Sequence, residues 1–184
     1  GSSAIFNVAA TDDFLLGGSE SLIATITGVT DTNTSFENVA VGTTSVASSA
    51  ITDGATEADG GTGLGDTVYV EIGVHGATTA GRTALTYTVT LVDTNGNAVT
   101  VPVGNSVAVA LNWTGVAGAT DVDLLPASVN VSAGSSAIFN VAATDDFLLE
   151  GSESLIATIT GVTDTNTSFE NVAVGTTSVA SSAI

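Results

Sequence analysis

A chain of 184 residues suits one or two domains, and an apolar content of 43% is enough to build a core. Its 19 acidic residues face a single basic one, Arg82, for a formal net charge of −18; this excludes nucleic acid as a partner, since nothing neutralises phosphates, and disfavours an anionic membrane surface. The lack of cysteine removes disulfides and thiolate chemistry, the lone His75 cannot assemble a zinc site or a histidine-based triad, and no apolar run of about 20 residues predicts direct membrane insertion.

Residues 1–51 recur as residues 134–184, an offset of 134 − 1 = 133, with one difference: Gly17 in the first copy is Glu150 in the second. A period of that length is the size of a domain and too long for one turn of a solenoid, so the chain reads as part of a tandem array. Residues 52–65 are rich in glycine and acid with almost no large apolar residue, which predicts a linker. A complete repeat is therefore expected over residues 66–184, with residues 1–51 the C-terminal half of a preceding repeat.

From Asp66 onward the apolar pattern has period two. Val68, Val70, Ile72 and Val74 share one face of a first strand; Leu85, Tyr87, Val89 and Leu91 share one face of a second, alternating with threonines. Asn95-Gly96 marks a hairpin turn. A short strand is expected over residues 98–103, at a sheet edge because Pro102 cannot donate to a ladder. Val107, Val109, Leu111 and Trp113 alternate next, with Trp113 a candidate core residue, followed by a strand over residues 127–132. The duplicated block supplies strands through Ala137, Phe139 and Val141, through Leu155, Ala157 and Ile159, and over residues 177–184. Nothing has helical period. The reading is an all-β chain, an immunoglobulin-like antiparallel β-sandwich in tandem repeats.

If every strand crosses the sandwich and consecutive strands reverse, alternate loops gather at one end. Counting from the linker, this places Asp93, Asp121, Asp123, Asp145, Asp146, Glu150 and Glu153 together at the entry end, where the linker brings Glu57, Asp59 and Asp66. Asp164, Asn166 and the exit residue Asp53 fall at the far end. Many oxygen ligands on loops without basic partners suit calcium, which accepts about six to eight oxygens in irregular geometry, better than magnesium, which demands stricter geometry. The alternative is that the loops are acidic for solubility or life in high salt. Candidate ligands are thus the acids of the entry end and its linker, with Asp53.

The run TDDFLLEGSES at residues 144–154 resembles the Asp-Asp and Glu-x-x-Glu portion of Calx-beta-type calcium-binding modules. With ALTYTVTLVD at 84–93, LPASVNVSAG at 125–134 and AITDG at 50–54, the whole unit resembles the extender repeats of very large RTX-type bacterial adhesins. That resemblance implies a secreted rod at the bacterial cell surface that carries a terminal ligand-binding domain away from the cell, with neighbouring repeats of the same chain and calcium ions as its partners. Asp145, Asp146, Glu150 and Glu153 match the motif; in the first copy Asp12, Asp13 and Glu20 match while Gly17 departs.

Other patterns resolve into ordinary structure. Residues 60–66 resemble a calcium-binding nonapeptide but stand alone and one position out of register, and residues 93–97 begin like an EF-hand loop but lack its glycine and closing glutamate. No acid has a nucleophilic or basic partner to give it a catalytic role, so an enzyme is not expected. The other function class is a carbohydrate- or ice-binding adhesion domain, against which an aromatic content of 5%, mostly at core parity, argues. Residues 1–51 lack a front half ahead of them. They are expected to stay partly open, to compete with residues 134–184 for residues 66–133, or, as the favoured outcome, to pair their edges with another copy of the chain.

Overall fold

The computed structural model describes residues 3–10, 15, 19–51, 67–76, 84–118, 120–145 and 151–184, and among these there is no helix. The strands are β1 (Glu20–Thr25), β2 (Val46–Ile51), β3 (Thr67–His75), β4 (Ala84–Val92), β5 (Ser106–Gly115), β6 (Ser128–Ser132), β7 (Ser136–Ala142), β8 (Ser154–Asp164), β9 (Asn171–Val174) and β10 (Val179–Ala183). They fall into two compact units, one of residues 1–12 and 17–54 and one of residues 13–16 and 55–184.

In the second unit, two four-stranded sheets with orders β10-β8-β5-β6 and β7-β4-β3-β9 share one core. Alternation decides which side chains enter it, because successive residues of a strand point to opposite faces. Leu85, Tyr87, Val89 and Leu91 of β4 are buried against Val107, Val109 and Leu111 of β5, with Leu155, Ala157 and Ile159 of β8 beside them. Trp113 is half-buried; its Nε1 donates to the Pro126 carbonyl at 2.8 Å, and its ring meets Tyr87 edge-on at 5.2 Å. Leu15 forms an isolated antiparallel bridge with Phe169 and packs on this core.

Two strand expectations are corrected and one strand is added. Residues 98–103 do not form a crossing strand. Ala98 bridges Val92, Val99 N–H donates to the Leu91 carbonyl, and Val101 N–H already donates to Gly134, so the segment passes from one sheet to the other at a single end. The expected final strand over residues 177–184 is present as β10, but a further strand, β9, precedes it where none was expected, and the chain switches sheets between them: Gly175 N–H donates to Val70 and Ile72 N–H to Thr177, while Ala180 pairs Ala157. Pairing is also not wholly antiparallel, since β9 lies parallel to β3 with Thr67 opposite Asn171.

The first unit contains a two-stranded sheet, β1 with β2, every residue of which is exposed. Its register repeats that of β8 with β10: Thr25 pairs Val46 as Thr158 pairs Val179. The turn that follows also repeats. Asp31 accepts from the Asn33 and Phe36 N–H groups, Asp164 from those of Asn166, Ser168 and Phe169, and Thr34 and Thr167 both have left-handed φ, 52° and 50°. The Phe36 bond above all holds the Asp31 carboxyl below its usual range. Strand pairing and turn are therefore local properties of the block, present with or without a core beneath it.

Candidate functional site

The strand registers fix which loops share an end of the second unit. β3 starts beside Asn171, β4 finishes beside Tyr69, β5 starts beside Asp164 and Ser132, and β7 starts beside Thr90. The connections holding Asp93, Gly134 and Asp164 therefore lie at the end where β3 begins. At the other end Gly115 pairs Leu155 and Ala84 pairs Ala142, so the loops holding Asp121, Asp123, Asp145 and Glu153 lie there, with Ile184.

This corrects the loop count. Asp93 is separated from Asp121, Asp123, Asp145 and Glu153 by the length of the strands, and Asp164 shares its end instead of opposing it. The cause is the 98–103 segment: counted as a full strand, it reverses the parity of everything after it. Asp121, Asp123, Asp145 and Glu153 keep a common end, but it is the one where the repeat finishes. Asp12, Asp13, Asp53, Glu57, Asp59, Asp66, Asp146 and Glu150 lie outside the described residues, and Glu20 is exposed at the start of β1.

Backbone bonds tie two of the acidic loops together. Val122 bridges Ala143, Asp123 N–H donates to the Ala142 carbonyl at 2.9 Å, and Thr144 N–H donates to the Asp121 carbonyl at 2.8 Å, which puts Asp145 one residue from that bond. The third strand end is joined through Val116 and Ala117, both donating to Ser154, while Glu153 and Ile184 exchange backbone bonds at 3.0 and 2.8 Å. Asp121 turns inward on its own loop, accepting from the Gly118 N–H and the Thr120 hydroxyl. Asp123 accepts from the Leu124 N–H at 2.9 Å, and Asp145 is exposed. An open groove of about 550 Å³ runs between Thr120, Val122, Asp123, Leu124, Leu125 and Thr144. Among the described residues no three acids or histidines stand close enough together to form a ready metal-binding group.

Asp93 is committed to its own turn. The Asn95 and Asn97 N–H groups donate to its Oδ1, and Asn97 Nδ2 donates to its Oδ2, all at 2.8 Å. These bonds, the Asn97 side chain's foremost, hold its carboxyl below the usual range. The left-handed residue of the loop is Gly96 alone, φ 82°, with Gly96 N–H donating to the Asp93 carbonyl, so the hairpin has the longer form in which a single glycine closes the turn. Replacing Asp93 by alanine should lower the melting midpoint by a few degrees and speed amide exchange at Asn95 and Asn97. Because the folded pKa is depressed, the native residue's advantage is present above the ordinary aspartate range and fades as pH falls through the folded value; a deficit that persists unchanged in acid would mean the carboxylate charge is not what caps the turn.

Glu71, absent from the sequence candidates, lines a second groove of about 430 Å³ with Tyr69, Asp93 and Thr176. It accepts from the Thr176 hydroxyl at 3.4 Å. Its position on the polar face of a strand carried no signal, because only the sheet switch between β9 and β10 brings Thr176 over it. No match to the sequence is found among protein-family models or curated proteins.

Proposed function

We propose that the repeat is a calcium-stabilised extender module of a large bacterial surface adhesin, an immunoglobulin-like β-sandwich unit strung with its neighbours into a secreted rod for surface attachment. The observation that carries this reading is that Asp121, Asp123, Asp145 and Glu153 share the end at which the repeat finishes, on loops joined by backbone hydrogen bonds, in a chain with one basic residue in all. Near-identity of the two copies adds support, since repetition serves length more readily than it serves catalysis. A cation entering between the loops would take Asp145, Asp123 and neighbouring carbonyls first, because exposed carboxylates and irregular loops suit calcium's variable coordination. Bridging would relieve the repulsion among carboxylates that no lysine or arginine offsets.

Calcium at about a hundredfold over its dissociation constant should stabilise the folded unit by about 2.7 kcal/mol through mass action, a rise in melting midpoint on the order of 10 °C. Asp145→Asn should reduce that rise while leaving the calcium-free midpoint nearly unchanged. Differential scanning calorimetry with calcium, with magnesium and with chelator makes the comparison; identical midpoints in all three would end the metal reading.

A further inference from the structure

Asn95-Gly96 is the one Asn-Gly step in the chain. It stands in solvent at the tip of the hairpin that follows β4, where Thr94, Asn95, Gly96 and Asn97 are all exposed. An asparagine side chain carries an electrophilic carbonyl carbon, Cγ, and the backbone nitrogen of the next residue is the nucleophile nearest to it. Glycine has no Cβ to obstruct that approach and allows the backbone to turn into it. Every other asparagine of the chain is followed by a residue with a Cβ. Asn97 is as exposed as Asn95, but Ala98 follows it and its Nδ2 donates to Asp93 Oδ2.

The turn restrains both partners of this reaction. Gly96 N–H, which carries the nucleophile's own hydrogen, donates to the Asp93 carbonyl at 3.1 Å, and Asn95 N–H donates to Asp93 Oδ1 at 2.8 Å. Asp93 N–H donates to the Asn97 carbonyl and Asn97 N–H to Asp93 Oδ1, both at 2.8 Å, which clamps the backbone on either side of Asn95. The Gly96 nitrogen must lose its proton and turn toward Cγ, so its bond to Asp93 has to open first. That opening is a local event at an exposed loop tip. The stem below it keeps its own bond, from Val99 N–H to the Leu91 carbonyl.

We propose that Asn95 is a self-modification site, converted by attack of the Gly96 backbone nitrogen at a rate set by the Asp93 turn. The deprotonated Gly96 nitrogen bonds to Asn95 Cγ, the Cγ–Nδ2 bond breaks, and ammonia leaves with the proton, which yields a cyclic succinimide. Water then adds at either ring carbonyl and opens the ring, giving aspartate by one route and isoaspartate by the other. Water is the sole co-reactant, and neither calcium nor the rod enters the chemistry. The aspartate product places a new carboxylate on a turn whose Asp93, Thr94 and Gly96 line a groove. The isoaspartate product adds a carbon to the main chain inside the turn, so the bonds from Asn95 and Asn97 to Asp93 cannot all re-form.

The full chain, held in warm and mildly alkaline buffer, tests this by peptide mapping with mass spectrometry, with isoaspartate scored by an isoaspartyl methyltransferase. Asn95 should gain the amide-to-acid mass difference while Asn97 does not, and more slowly in the folded chain than in the chain unfolded by guanidinium. Asp93→Ala should convert roughly tenfold faster than the native chain, the factor for losing hydrogen bonds to a charged acceptor. Asp93→Ser, whose hydroxyl accepts from the same N–H groups more weakly, should fall between the two. The isoaspartate fraction should melt below the unconverted chain. Equal rates for the folded native chain, Asp93→Ala and the unfolded chain overturn the control by the turn. An intact Asn95 in the folded chain, or equal conversion at Asn97, overturns the site itself.

Discussion

Replacing Tyr87 by alanine should lower the melting midpoint by roughly 10–20 °C, the consequence of losing about 3–5 kcal/mol when a large aromatic is removed from a packed core. Tyr87 is fully buried. Its ring stacks on Phe139 at 5.3 Å with 9° between planes, and Trp113 meets both rings edge-on. Its hydroxyl shares a 3.0 Å hydrogen bond with Ser182 Oγ, which joins β4 in one sheet to β10 in the other. Tyr69, half-buried on the outer face of β3, is the control, and an equal loss from Tyr69→Ala would show that the aromatic layer carries no special weight. The hydroxyl adds a pH dependence. Burial raises the Tyr87 pKa, the Ser182 bond opposing it more weakly. A group whose folded pKa is raised contributes stability that is fully present below its unfolded value and lost as pH rises through the folded one. The native protein should therefore lose stability above about pH 10, and Tyr87→Phe should lose less over the same range.

The residues around Tyr87 were legible in the sequence because a strand's period is two and the core selects one parity: Leu85, Val89, Val107, Val109 and Leu155 all fall where alternation puts them. Parity within a strand is a local property. The placement of the acids was not local, and it failed where the chain broke the rule of crossing strands. Nothing in residues 98–103 announces that Val101 will bond Gly134 in place of continuing along β4; the apolar spacing of Val99, Val101 and Val103 is that of a strand, yet Val99 and Val101 are buried at the rim and Val103 is 91% exposed. One miscounted crossing moved Asp93 away from Asp121 and brought it to the end of Asp164. Two turns escape this because they are set by short-range hydrogen bonds. Asp93 closes its own hairpin, and Asp31 and Asp164 build the same turn in both copies. The same distinction explains the first block, where β1 and β2 pair correctly from local sequence while Leu22 and Phe36 remain exposed, since burial needs a partner sheet that pairing does not.

Gly115→Ala should be among the most damaging single changes of a small residue, on the order of 3–4 kcal/mol from steric conflict together with backbone strain. At this position φ is 130°, and a Cβ would stand 2.0 Å from the Ser154 carbonyl oxygen and 2.8 Å from its carbon. Backbone cannot yield as a flexible side chain can, so Ser154 must move, and the Ser154 carbonyl is the acceptor for both Val116 and Ala117. Those two bonds steer the chain out of β5 into the loop that carries Asp121 and Asp123. The change should therefore lower stability and weaken any calcium response together, whereas Gly73→Ala, where a Cβ meets nothing within 4 Å, should do neither. Equal midpoints for the two variants by thermal unfolding would show that the close approach at Ser154 is not a constraint.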